Sequence, residues 1–374
     1  MIKTDKKYFI ALLLIGAAFG YGLLAGVFKI QPYGFFESAY YFMNPEIAKY
    51  GSPIEEKIKI DYDSMISVKG AKEATAKRND LIRFVWKNKG FPGDIPQNIY
   101  RDFKDKRFSG MANLKRIDMI NVTMDYNVNS VIYHFVPEKT NNKLILYHEG
   151  HDGDFGLGKK SIEFFLKKGY SVMAFSMPLI GMNNKPVVDI EKVGKIRLNI
   201  HDRFVFLESK NFSSIRFFME PVAVSVNYAV KELGYDSISM VGISGGGWTT
   251  TLYSAMDPRI KDSFSVAGTL PFFAKTQKDW GDREQYYHEL YDITGYLDIY
   301  KLASFEEGRS HIQIYNEFDS CCFAGINYKP YKEGVEKAVS DGAIGDFQIY
   351  IDDTSKEHKI SNGALEFIEK SIES

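Results

Sequence analysis

Twenty-one residues without a charge lie between Lys7 and Lys29, and no later stretch of the chain is as long and apolar. As a helix rising about 1.5 Å per residue, such a segment spans roughly the hydrocarbon core of a bilayer. A cleaved signal sequence has a shorter apolar core, about 7–15 residues, followed by a small-x-small site. Gly16-Ala17-Ala18 offers such a site, but more apolar sequence follows it. The pattern predicts an uncleaved N-terminal anchor within residues 1–29, crossing the membrane through residues 8–28, with secretion after signal cleavage as the alternative. Lys3, Lys6 and Lys7 precede the segment and Lys29 alone lies just after it. That asymmetry predicts a cytoplasmic N-terminus and an exported remainder.

Residues 30–114 carry a mixed pattern, read as a helical lead-in packed on the main domain. Its clearest element is AKEATAKRNDLIRFVWKNKGFPGDIP, a helix stopped by Gly90 and Pro92. From about residue 115 a regular rhythm sets in. RIDMINVTMDY and NSVIYHFVP, rich in β-branched and aromatic residues, read as antiparallel strands. KLILYHEG, SVMAFSMP and SISMVGI are short apolar runs of the kind that strands buried on both faces require. Between and after them come helical patterns. Ile162, Phe165 and Leu166 share one face. Val222, Val226, Val230 and Leu233 share another, in a helix expected to open near Pro221 and stop at Gly234. HIQIYNEFD and DFQIYIDD follow as strands, and GALEFIEKSI closes the chain as a helix with Leu365, Ile368 and Ile372 aligned.

Strands alternating with helices over residues 115–374 predict an α/β domain with a mostly parallel sheet covered on both faces. Residues 187–218 and 272–305 break the rhythm. Their aromatic-rich text, such as DWGDREQYYHELYDITGYLDIY, is read as insertions above the sheet that form a cap or pocket wall.

Composition narrows the function. The chain has 374 residues, 45% hydrophobic and 25% charged, with a formal net charge of −1. This is a globular composition, and near-neutral charge removes the electrostatic case for nucleic acid as a partner. The two cysteines, Cys321 and Cys322, are adjacent, which is neither a disulfide framework nor a metal-ligand spacing. They are expected as free thiols.

Chemistry concentrates at Gly242-Ile243-Ser244-Gly245-Gly246, a G-x-S-x-G sequence with an apolar strand before it and a helix after it. A serine on a tight strand-to-helix turn needs small neighbours two positions either side, here Gly242 and Gly246. The helix that follows directs backbone N–H groups at developing negative charge. Such a nucleophile needs a base and an orienting acid. His358 lies in a polar loop after the last strand and before the last helix; His311 starts a strand and is read as structural. Asp319, past the strand HIQIYNEFD, is preferred over Glu317 as the acid. An oxyanion site needs the N–H after the nucleophile, Gly245, and one from an earlier loop. YHEGHDG supplies that loop, with the His151 N–H as candidate. His148 and His151, with Glu149 and Asp152 in the same run, raise the question of a metal, but the His148/His151 spacing is that of a loop and no third ligand can be nominated, so no metal is expected.

Taken in order, YHEGHDG, SVMAFSMPLIGMN, GISGGG, Asp319 and His358 resemble the α/β-hydrolase superfamily over residues 115–374, and more weakly its acetyl-xylan-esterase and dienelactone-hydrolase branch. SMPLIGMN stands where that fold has a D-x-x-G-x-G turn, with Met where an acid often stands. The resemblance implies an α/β-hydrolase fold and a serine hydrolase that needs no cofactor. Its expected partner is a small-molecule or glycan ester, cleaved outside the cytoplasm through Ser244, His358 and Asp319. A serine peptidase or amidase on the same fold, and a non-catalytic envelope protein retaining it, remain open at this point.

Overall fold

The computed structural model describes residues 6–28, 61–191, 193–275, 280–319, 321–328, 332–342 and 345–374. The chain divides into two compact units, residues 1–51 and 52–374. In the first, α1 (Lys6–Phe28) is one continuous helix of 23 residues. Among the described residues no helix is long and apolar enough to cross a membrane.

In the second unit, hydrophobic alternation builds one nine-stranded sheet with the order β1-β2-β3-β5-β4-β8-β9-β10-β11. The strands are β1 (Asn98–Tyr100), β2 (Leu114–Thr123), β3 (Asn129–Pro137), β4 (Lys143–His148), β5 (Ser171–Phe175), β8 (Ser237–Ile243), β9 (Asp262–Val266), β10 (Ser310–Asn316) and β11 (Asp346–Asp352). From β5 to β11 every pairing is parallel, while β1, β2 and β3 form an antiparallel flank. The insertion at 187–218 contributes a separate hairpin, β6 (Val187–Ile190) with β7 (Gly194–Arg197).

Side chains on successive strand residues point to opposite faces, so the apolar run of β4 feeds two cores. Leu144 and Leu146 enter one, and Ile145 and Tyr147 the other. The first core is covered by α2 (Ala71–Trp86), α4 (Arg216–Tyr228), α5 (Gly245–Met256), α6 (Tyr296–Ala303) and α7 (Lys332–Ser340). The second is covered by α3 (Lys159–Lys167) and α8 (Asn362–Glu373). Leu365, Ile368 and Ile372 of α8 are all buried, each worth about 1.5–3 kcal/mol. The lead-in shares the first core: Leu81, Val85 and Trp86 of α2 are buried in it, and Arg78 Nε donates to the Ala255 carbonyl at 2.9 Å.

Two expectations are corrected. The helix expected to open near Pro221 begins at Arg216, so that Pro221 lies inside α4. A π-helical turn over Ala229–Leu233 then ends it at Gly234, whose φ is 65°. The wider turn of i→i+5 hydrogen bonds shifts the apolar stripe, and Val230 within it is 50% exposed. The cysteines are also not free: Cys321 and Cys322 are joined in a disulfide between neighbours. They follow Asp319, in a turn where its carboxylate accepts the backbone N–H groups of both, and that turn brings the two side chains together.

Candidate active site

Ser244 sits between β8 and α5 with φ 54° and ψ −125°. A non-glycine residue held there stores about 1–3 kcal/mol of backbone strain, and the surroundings enforce it. Ser244 N–H donates to the Val266 carbonyl at 2.9 Å and the Ser244 carbonyl accepts from Trp248 at 3.0 Å. From Ile238 through Met256, Ser244 is the one residue that is not buried. The turn thus lifts a hydroxyl out of an otherwise closed strand and helix. Its flanking glycines are required by contact. A Cβ on Gly242 would lie 2.1 Å from the Gly246 carbonyl oxygen, and one on Gly246 would lie 2.1 Å from that of His148. Gly245 opens α5, so its N–H is among those that no helical carbonyl accepts.

The acid and the histidine come together from the ends of β10 and β11. His358 Nδ1 lies 2.6 Å from Asp319 Oδ2. A carboxylate only accepts, so the proton belongs on Nδ1 and Nε2 carries the lone pair. Asp319 Oδ1 accepts the backbone N–H groups of Cys321 and Cys322 at 2.8 and 3.3 Å. Both oxygens are therefore committed and the carboxylate, completely buried, is locked in orientation. Burial pulls the His358 pKa down, but the Asp319 hydrogen bond and charge outweigh it and the net shift is upward. His358 Nε2 is buried and, among the described residues, has no hydrogen-bond partner, Ser244 Oγ included. His311, read as structural, is buried between Ser263 and Gln313.

The YHEGHDG loop packs directly on the elbow. A Cβ on Gly150 would meet Ser244 Cβ at 2.7 Å, and one on Gly245 would meet the His151 ring at 2.2 Å. Glu149 of the same loop is buried; its carboxylate accepts from Tyr147 Oη at 2.7 Å and Gly150 N–H at 3.0 Å. Burial pushes its pKa up, and its charge acts on His358 in the direction of protonation. His148 itself turns back to bond the Glu149 carbonyl at 2.9 Å.

His151 has companions the sequence reading did not find. Its Nε2 lies 2.7 Å from Glu284 Oε1 and 3.0 Å from Asp282 Oδ2. His201 Nδ1 lies 3.2 Å from both Glu284 oxygens, and its Nε2 lies 2.8 Å from the Pro178 carbonyl. His201 comes from the 187–218 insertion, and Asp282 and Glu284 from the 272–305 insertion. Burial alone would raise the Glu284 pKa, but His201 and His151 hold it well below the usual carboxylate range. His201 is shifted upward, burial being outweighed by Glu284.

No protein-family model matches the chain, and no curated protein matches it in sequence. Solved structures do match in fold. Acetyl xylan esterase 1 from Thermoanaerobacterium sp. is 14% identical with a TM-score of 0.52, over 84% of this chain and 98% of that one. Acetyl xylan esterase from Paenibacillus sp. R4 is 12% identical with a TM-score of 0.51, over 83% and 98%. With its six parallel strands, its antiparallel flank and a serine elbow after β8, this chain has the α/β-hydrolase fold.

Proposed function

We propose that the chain is a serine hydrolase of carboxylic esters. The observation that carries this is the Asp319–His358 pair, locked by backbone N–H groups and offering an unpartnered Nε2, in a fold whose strained elbow exposes Ser244 alone. Ser244 Oγ attacks the ester carbonyl carbon while His358 Nε2 takes its proton. Asp319 holds the ring tautomer and stabilises the imidazolium. The N–H groups of Gly245 and His151 hold the oxyanion, each worth about 3 kcal/mol of barrier. The tetrahedral intermediate expels the alcohol, which His358 protonates. Water, deprotonated by His358, then releases the acid and restores Ser244. All protons pass through one imidazole, so these steps need no cofactor.

The substrate class follows from two supports. Solved structures of this fold include acetyl xylan esterases by name, and the uncharged run of residues 8–28 within the continuous helix Lys6–Phe28 favours a membrane anchor with the hydrolase outside the cytoplasm. Together they favour a small ester or an acylated glycan. A fluorophosphonate probe on the purified full chain should label Ser244. Ser244→Ala should abolish labelling and lower kcat on a panel of acetyl and longer-chain esters by about 10⁴-fold or more. Equal ester hydrolysis by the wild type and Ser244→Ala would sink the reading.

A further inference from the structure

Four potential metal-binding side chains converge beside the elbow from three separate segments. Glu284 lies 133 residues from His151 and 83 from His201 in the chain. The ligand atoms of His151, His201 and Glu284 all lie within 4.8 Å of one another, and the half-exposed Asp282 adds a carboxylate oxygen 3.0 Å from His151 Nε2. We infer that His151, His201 and Glu284 bind one divalent transition-metal ion of the zinc class, with the neighbouring Asp282 placed to close a fourth position, and that the ion clamps the two insertions to the YHEGHDG loop.

The geometry carries the inference: ligand atoms from three separate segments meet within 4.8 Å, and the protons they would otherwise need sharpen it. A carbonyl oxygen only accepts, so the Pro178 carbonyl requires the hydrogen of His201 on Nε2. A neutral His201 then presents the Nδ1 lone pair to two carboxylate oxygens at 3.2 Å. His151 Nε2 likewise faces two carboxylates. Without a metal, His151 can donate from Nε2 as a neutral ring, but His201, with its hydrogen on Nε2, must also be protonated on Nδ1, which buries an imidazolium 5.1 Å from the His151 ring. One dication held by both rings neutralises Glu284 without that buried imidazolium. The ligand set, two imidazoles and two carboxylates, suits zinc and its neighbours in the series. Tetrahedral bonds of about 2.0–2.1 Å place ligand atoms about 3.3 Å apart. The observed 2.7–3.2 Å needs only a few tenths of an ångström of opening. The Pro178 carbonyl on the far nitrogen of His201 is the outer partner that metal-bound histidines ordinarily have. A metal here also braces the loop whose His151 ring packs on Gly245.

The inference is independent of the ester-hydrolase reading, because its test measures metal and not turnover. The full chain is stripped with a chelator, then titrated with Zn²⁺ against a chromogenic competitor and with Co²⁺ by visible absorption. The result expected is one equivalent per chain and the absorption bands of tetrahedral Co²⁺, both retained in a Cys321→Ser/Cys322→Ser chain. His201→Gln and Glu284→Gln should each weaken uptake by more than the roughly 10–100-fold that losing an outer-shell partner costs. Asp282→Asn should also weaken it, and its half-exposed position spares the core if the buried variants do not fold. Absence of stoichiometric uptake by the wild type overturns the proposal in favour of a proton-held ion cluster. Uptake that survives all three variants, or that is abolished by removing the cysteines, overturns it as well.

Discussion

Asp319 holds one imidazole, whereas Glu284 faces two. The first cluster is open: both Asp319 oxygens are taken by His358 and by the N–H groups of Cys321 and Cys322, and the far nitrogen of His358 has no partner. The second is closed: His201 is used at both nitrogens, and the facing nitrogen of His151 is shared between Glu284 and Asp282. The same residue types therefore serve different ends. A single oriented ring with a free lone pair can carry a proton back and forth. Two rings turned to one carboxylate have no such free lone pair, and that is the arrangement the proposed metal site would use. The partner of the second nitrogen, not the histidine–carboxylate contact itself, separates a base from a ligand.

The largest test of this contrast is Asp319→Asn. The Asn amide would donate toward His358 Nδ1 and push the proton to Nε2, so the ring loses its basic nitrogen. We expect kcat on a responsive ester to fall about 10³–10⁴-fold with the fold intact by circular dichroism. Glu284→Gln in the same assay leaves the base in place and should cost far less. Equal losses in the two variants would erase the distinction. A middle-sized effect is expected from Gly150→Ala. Its Cβ would lie 2.7 Å from Ser244 Cβ and 3.1 Å from the Ile243 carbonyl oxygen, so the oxyanion loop must retreat from the elbow. Misplacement on that scale costs on the order of 10–100-fold in kcat/KM; an unchanged kcat/KM would separate this loop from the reacting centre.

The smallest effect is in pH dependence. The His358 pKa lies above its ordinary 6.5 because Asp319 outweighs burial. A base acts when neutral, so kcat/KM should rise with pH through a midpoint above 6.5. Stability runs the other way. The protonated pair stabilises the fold fully below the unfolded value near 6.5, and that contribution is lost as pH rises through the folded pKa. The Glu149 charge is one of the upward influences on His358. Glu149→Gln should therefore move the acid limb of the rate profile down by less than about one pH unit. An acid limb that stays put would show that Glu149 and His358 are uncoupled.

The elbow, Asp319 and His358 were legible because each depends on local text: an apolar strand, then the residue that emerges at its end. Parallel strands send those ends to one edge of the sheet, and the contact this makes is observed between Asp319 and His358. The cluster around Glu284 lacks any such local signature. His201, Asp282 and Glu284 sit in irregular insertions, and nothing in their spacing states that they meet His151. The Cys321–Cys322 bond was missed for a related reason, since the turn that joins the thiols is set by the Asp319 carboxylate drawing in both N–H groups. The helix α4 starts at Arg216, ahead of Pro221, and the exposed Val230 lies in the π-helical turn at its far end, which a 3.6-residue period does not anticipate.

Taken alone, the sequence determined the alternation of strands and helices, the uncharged run near the N-terminus, and the serine elbow with its acid and histidine in order. These are short-range consequences of backbone geometry and of apolar side chains leaving water. Tertiary structure alone decided which histidine nitrogen is free and which is committed. That choice depends on acceptors brought from distant segments, the Pro178 carbonyl and the Glu284 carboxylate at one cluster and the Asp319 carboxylate at the other.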